Sequence, residues 1–301
     1  MKIFVTGASG YIGGSVATAL AKAGHTVSGL VRSEERAKQV REFGIQPILG
    51  SLSDKETLTN AARDADAVIS AASSDDRISV ETLVAALAGS NKPLLHTSGS
   101  SIVGDMAAGT RSNNIYEDDT PFEPLPGKVA RVAIDRLVRE SAKNGVRSAV
   151  ICPTLIYGRG HGVHKDSIQL PKLIALAKQH GVGKHVGPGE NIWSNVHIDD
   201  VVTLYLLALE KAPAGAFYFA ENGENAWLDV AAAISPLLGY GGKTEGIPIE
   251  QAVKELGEVT AHLTFGSNSR VRAVRARKEL GWKPNGRPLL DDIEHGSYAQ
   301  K

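Results

Sequence analysis

"VTGASGYIGG", residues 5–14, is the stretch whose reading decides the fold. It follows the apolar run "KIFV" and opens into "GGSVATALAK", where apolar residues recur at helical spacing. Gly7, Gly10 and Gly13 stand in a GxxGxxG spacing between strand and helix. Glycine permits the tight turn, lets backbone approach a pyrophosphate and allows the helix to pack closely on the strand. The helix start then offers free N–H groups and a positive dipole end to phosphate. A lone glycine triplet is weak evidence, but one in the first strand-to-helix turn of an alternating series is strong.

The series is there. "TVSGLVR", "IQPILG", "DAVISAA", "PLLHTSG" and "SAVICPT" are apolar or β-branched runs, with helical patterns between them, several ending at a glycine. This alternation predicts an α/β architecture, a Rossmann-type doubly wound parallel sheet with right-handed crossovers. After Tyr157 the pattern breaks. Residues 1–157 are expected to form the dinucleotide-binding domain, with 191–221 returning to it. Residues 158–190 and 222–301 are expected to form a smaller substrate-binding lobe over the C-terminal edge of the sheet.

The second strand bears on the choice of cofactor. A carboxylate at its end would accept the adenosine ribose hydroxyls. Here Val31 holds that place, followed by Arg32 and Ser33. A guanidinium and a hydroxyl suit a 2′-phosphate, so NADP(H) is expected over NAD(H).

Composition narrows the class. Lysine plus arginine equals aspartate plus glutamate, 33 each, which removes any global electrostatic case for nucleic acid or an anionic membrane. The single cysteine, Cys152, lies in an apolar run, excludes an intrachain disulfide and fits a reducing compartment. No apolar run approaches the ~20 residues of a membrane span, and the chain enters a strand without a signal-peptide layout. A cytoplasmic protein acting on a small molecule is expected, with no metal.

Several further segments carry a resemblance. "GSLSD" (50–54), "ISAAS" (69–73), "HTSGSSIVGD" (96–105), "CPTLIYGRG" (152–160), "NVHIDDVV" (195–202) and "RKELGWKP" (277–284) accompany the glycine loop. Together the chain resembles the extended short-chain dehydrogenase/reductases, the NAD-dependent epimerase/dehydratase family, over nearly its whole length. The resemblance implies cofactor contacts at Gly7, Ser9, Gly10, Tyr11, Ile12 and Gly13, at Arg32 and Ser33, and at Leu52, Ala71 and Ala72. It also implies contacts at Ser98, Arg131, Pro153 and Thr154.

The family's catalytic set is Ser/Thr, Tyr and Lys, with Tyr-x-x-x-Lys on one helix face. There the ammonium lowers the phenol's pKa and the phenol serves as acid or base. In this chain no tyrosine is followed by lysine four residues on. Aligning Asp135 of "VARVAIDRLV" with the acidic residue that commonly follows the family's lysine puts Arg131 at the lysine and Gly127 at the tyrosine. Counting back from Gly104 puts Gly99 at the reactive hydroxyl, between Ser98 and Ser100. Arginine can hold a ribose but is a poor proton shuttle. The candidate catalytic residues are Ser100, Tyr116 and Arg131, and Tyr157, His161, His164, Gln169, Trp193 and Asn195 are candidates for the substrate pocket.

Three functions are compatible with this altered set. The first is an atypical NADP(H)-dependent oxidoreductase that reduces a carbonyl of a small, aromatic molecule without the tyrosine. The second is an NADP(H)-binding sensor without turnover. The third, ranked lowest because it needs a competent base, is a sugar-nucleotide epimerase or dehydratase. Members of the family often form homodimers through two helices per subunit. The candidates here are the helix carrying Arg131 and the one at 79–90, although their apolar residues could equally face the sheet.

Overall fold

The computed structural model describes residues 1–299. The first half alternates as the apolar runs predict: β1 Lys2–Thr6, α1 Tyr11–Lys22, β2 Thr26–Val31, α2 Glu34–Arg41, β3 Ile45–Leu49 and α3 Lys55–Asp64. Then come β4 Ala67–Ser70, α4 Arg77–Leu87, β5 Pro93–Thr97, a short β6 Tyr116–Glu117, α5 Val129–Glu140 and β7 Arg147–Pro153. The second half runs β8 Leu155–Tyr157, α6 Gln169–His180, β9 Gly183–Val186, β10 Ile192–His197, α7 Ile198–Lys211 and β11 Ala216–Ala220. It continues through β12 Glu224–Ala226, α8 Trp227–Leu237, β13 Thr244–Ile247 and α9 Ile249–Leu256. The short α10 Glu258–Thr260, β14 Val271–Arg272, α11 Val274–Leu280 and α12 Leu289–His295 complete it.

Seven strands form one sheet in the order β11-β7-β5-β4-β1-β2-β3, with every neighbouring pair parallel. β4 and β5 are buried along their whole length, as strands covered by helices on both faces must be. From β1 the chain steps outward to β2 and β3, then back across to β4. The crossovers therefore diverge between β1 and β4, and open α/β sheets bind ligands at such a point, beyond the strand C-termini.

Three apolar cores hold the fold, one of them gathering Phe4, Leu58, Val68, Leu83 and Leu94 from β1, α3, β4, α4 and β5. The main core lies on the sheet and includes Val5, Val16, Leu95, Ile134, Ile151 and, from α7, Val201 and Tyr205. The second gathers Tyr157, Leu170, Trp193, Trp227, Phe265 and Tyr298, with the Trp227 and Phe265 rings edge-to-face at 4.9 Å. β10 pairs with β8 and β12 in a separate three-stranded sheet, whereas β11 joins the main one. The tail crosses between the cores: Val271, Ala276 and Trp282 pack on the main core, and Leu289 and Ile293 on the second. The Trp282 indole fixes that crossing by donating to the Asp200 carbonyl at 3.0 Å. Among the described residues, no helix is long and apolar enough to cross a membrane.

Candidate cofactor and active site

Backbone makes the first wall of the cleft. Gly7 has φ +76°, and a Cβ there would lie 2.5 Å from the Ala71 carbonyl oxygen. A Cβ on Gly13 would lie 2.4 Å from the Gly7 carbonyl oxygen. The β1–α1 turn, the helix start and the turn after β4 thus interlock at distances that only glycine allows. Gly10 is the N-cap of α1 and supplies no capping side chain, so first-turn N–H groups are left without a protein partner.

These elements border a cavity of about 600 Å³, lined by Gly7, Ser9, Gly10, Arg32, Leu52, Ala71 and Ala72 and also by Arg36, Ser51, Ser53 and Asp76. Its far end holds no carboxylate at the tip of β2. Arg32 and Arg36 stand there instead, with the Ser51 and Ser53 hydroxyls 2.8 Å apart. Ser33 caps α2 by accepting from the Arg36 amide at 3.3 Å. Asp76 caps α4, accepting from the Ser79 amide at 2.9 Å. The glycine cradle and the uncapped helix fit the pyrophosphate of a dinucleotide.

Around the start of α5 the contacts are made by side chains. Arg131 grips the Asp75 carboxylate through Nε and Nη2 at 2.8 and 2.5 Å, and its Nη1 donates to Ser101 Oγ at 3.3 Å. This grip holds the Asp75 carboxyl below the usual range. A Cβ on Gly99 would sit 3.3 Å from Arg131 Nη1, so the glycine leaves room for the guanidinium. A Cβ on Gly127 would meet only Leu263 Cδ1, at 3.6 Å, an ordinary contact. Lys128 is 8% exposed, and burial together with Arg131 pushes its ammonium pKa down against the pull of Asp75.

Behind α5 lies a buried polar pair. Ser98 Oγ donates to Asp135 Oδ2 at 2.7 Å, and His96 Nε2 stands 3.9 Å from Asp135 Oδ1, too far to bond. Burial raises the Asp135 carboxyl to about 7 despite the Ser98 hydrogen bond, and lowers His96 to about 4. A separate hollow of about 760 Å³ opens on that side of α5, bordered by Phe122, Asp135, Arg139 and Phe217 and by no residue of the glycine loop.

The model of the NAD dependent epimerase/dehydratase family matches residues 3–218. The chain belongs to that family. It is 33% identical to an oxidase, ucsJ, of an Acremonium species, over 97% of this chain and 95% of that one. It is 30% identical to the 4-hydroxy-2-methyl-3-oxo-4-farnesyl-3,4-dihydroquinoline-1-oxide ketoreductase of Stigmatella aurantiaca, over 83% of this chain and 75% of that one. The fold is similar to that of dTDP-glucose 4,6-dehydratase from Bacillus anthracis in complex with NAD. The TM-score is 0.75 at 18% identity, covering 99% of this chain and 94% of that one.

With the family in place, the residues singled out from sequence separate into three groups. Gly7, Ser9, Gly10, Arg32, Leu52, Ala71 and Ala72 gather at the cavity, while Gly13 packs against Gly7 and Ile12 into the main core. The Tyr11 hydroxyl donates to the Gly158 carbonyl at 2.8 Å. Pro153 ends β7, and Thr154 donates to the Ala220 carbonyl at 3.0 Å. Arg131 stands beside Gly99, its guanidinium held by Asp75. Ser100 does not face it: its hydroxyl meets that of Ser269 at 2.9 Å, and the hydroxyl beside Arg131 belongs to Ser101. Tyr116 packs edge-on against Phe122, and its hydroxyl contacts neither Arg131 nor Ser101.

The six substrate candidates do not form one pocket. Tyr157 is fully buried and donates to the Arg287 carbonyl at 2.7 Å. Trp193 is 5% exposed, its indole on the Ser267 carbonyl at 2.9 Å, and Asn195 bonds Asn225 at 2.9 Å. His161 pairs with Asp199, His164 is exposed, and Gln169 opens α6. The long tail, 265–298, closes over Tyr157 and Trp193, and no local pattern announces that. Four side chains carry no signal singled out above: Arg36, which lines the cavity, and Asp75, Ser101 and Lys128, which surround Arg131. For Arg36 a signal existed, since it lies four residues after Arg32 at a helix start capped by Ser33. The other three are brought together only by long-range packing.

Proposed function

We propose that this protein is an NADP(H)-dependent oxidoreductase that reduces a carbonyl of a small molecule without the family's tyrosine acid. The observation that carries the cofactor preference is the far wall of the 600 Å³ cavity, where two arginines and two serines replace a carboxylate. A carboxylate there would repel a 2′-phosphate, whereas a pair of guanidinium groups binds it through charged, forked hydrogen bonds. The uncapped start of α1 would hold the pyrophosphate. Arg131, positioned by Asp75, would hold the ribose at the reactive end. When bound, the cofactor supplies the hydride. Relatives named as an oxidase and a ketoreductase support redox chemistry, and the ketoreductase's named substrate, a 3-oxo-dihydroquinoline oxide, makes aromatic ketones the first compounds to try.

The test is to incubate the purified protein with NADPH and a panel of aromatic ketones, aldehydes and quinones, following absorbance in the nicotinamide band. Turnover with at least one carbonyl class is expected, faster with NADPH than NADH. Tight NADPH binding with no turnover across the panel would replace this reading by that of a sensor.

A further inference from the structure

We propose that Lys128 is the residue that meets the substrate's carbonyl oxygen and delivers its proton, in place of the tyrosine absent at Gly127. The inference rests on the reductase reading above and identifies its missing acid.

The first observation is an unbalanced charge. Other buried cations are matched: Lys184 pairs with Glu245 at 3.0 Å and Arg270 with Glu224 at 2.7 Å. Lys128 is equally buried, yet among the described residues its ammonium makes no hydrogen bond and no ion pair. Its Nζ keeps some contact with solvent, so the three donors of the ammonium are open to a ligand rather than sealed inside the fold. A substrate oxygen in the cleft would satisfy it. The carboxylate that could have done so, Asp75, has both oxygens engaged by Arg131.

The second observation is place. Lys128 follows Gly127 directly and lies three residues before Arg131, in the 3₁₀ turn that opens α5. Beside it, Gly127 is exposed and carries no side chain, so nothing of its own covers the approach to Lys128 from solvent. The charged groups that bear on the ammonium are Arg131 from the helix it opens and Asp75 from the segment before α4. The rival donors are turned elsewhere. Arg131 holds its proton too tightly, Asp135 bonds Ser98 behind the helix, and Tyr116 lies against Phe122.

The step balances. The carbonyl carbon accepts a hydride from the reduced nicotinamide, a C–H bond forms, and the C=O π pair moves onto oxygen. The growing negative charge is drawn to the ammonium, an N–H bond of Lys128 breaks and an O–H bond forms. The neutral amine then regains its proton from water, leaving an alcohol and the oxidised nicotinamide.

Three measurements test this. The wild type, Lys128→Met and Lys128→Arg are compared for NADPH affinity and for kcat against pH. In the ligand-free wild type, competitive acylation of Lys128 against exposed Lys55 is followed by mass spectrometry as pH is varied. NADPH affinity is expected to change less than about threefold, while kcat of Lys128→Met falls on the order of 10²–10⁴-fold, the usual contribution of a general acid. Lys128→Arg keeps the charge but not a releasable proton and should fail to rescue. The wild-type rate should fall as pH rises and the ammonium empties, and this limb should vanish in Lys128→Met. Lys128 should become reactive at lower pH than Lys55, and Arg131→Met should move that onset upward. A wild type that reduces carbonyls while Lys128→Met keeps its rate and pH limb overturns this inference alone. Acylation of Lys128 in step with Lys55 also overturns it. A wild type that reduces nothing overturns the reductase reading and this step together.

Discussion

In the adenosine half of the cleft the decisive contacts are made by backbone: Gly7 against Ala71, Gly13 against Gly7, and the bare start of α1. In the reactive half they are made by side chains that reach across the fold, with Asp75 gripping Arg131 and Ser98 holding Asp135. Backbone geometry of the first kind tolerates almost no substitution, because any Cβ collides with main chain that cannot move. Side-chain pairs of the second kind can be exchanged while the fold persists. On the reading proposed above, a cofactor site stays intact while the proton donor beside it changes identity.

Substitutions in the two halves should behave differently. Gly13→Ala has the largest expected effect, since its methyl carbon would lie 2.4 Å from the Gly7 carbonyl oxygen and the helix start must retreat. NADPH affinity should fall roughly 100-fold or more, about 3 kcal/mol, by fluorescence titration. Unchanged affinity would mean that the backbone half is more plastic than its geometry implies.

The buried pair behind α5 gives a pH signature. Asp135 is raised to about 7 in the folded protein and titrates near 3.9 when unfolded, so the folded state binds the extra proton between these values. Stability from this group falls as pH rises across that window. His96, lowered to about 4, acts in the opposite direction between about 4 and 6.5. Asp135→Asn removes the carboxylate's cost, so its stability relative to wild type should gain roughly 2–3 kcal/mol between pH 5 and pH 8, at about 1.4 kcal/mol per unit. Urea unfolding at the two pH values checks this, and a difference that does not change with pH would contradict it.

Arg131→Met should weaken NADPH and NADH alike, each by about tenfold, because one charged hydrogen-bonding group is lost at the end of the cleft that the two cofactors share. A loss confined to NADPH would misplace Arg131. The smallest effect is expected for Tyr157→Phe, which removes the hydrogen bond to the Arg287 carbonyl and should cost about 1 kcal/mol of stability while leaving KM unchanged. A raised KM would return Tyr157 to the substrate site.

The two halves also differ in how far the sequence reveals them. The sheet order follows from alternating apolar runs and crossover rules, and the glycine loop is a local pattern whose spacing is its geometry. Arg32 was visible for the same reason. At the other end, Gly127, Gly99 and Arg131 could be located by counting along motifs, but their neighbours could not. Asp75 reaches Arg131 across 56 positions and Ser98 reaches Asp135 across 37. Trp193 and Tyr157 read as pocket residues because nothing near them shows that a tail some 70 to 140 residues later covers them. Lys128 reads in sequence as an ordinary solvated lysine at a helix start, because the packing that buries it comes from distant segments.

Titrating NADPH and NADH against the wild type and against the Arg32→Ala/Arg36→Ala double variant tests most directly the proposed preference for a phosphorylated ribose. NADPH should bind the wild type at least about tenfold more tightly than NADH, and the double variant should lose most of that advantage with little change for NADH. Equal affinities in the wild type, or an NADPH preference that survives the loss of both arginines, would contradict it.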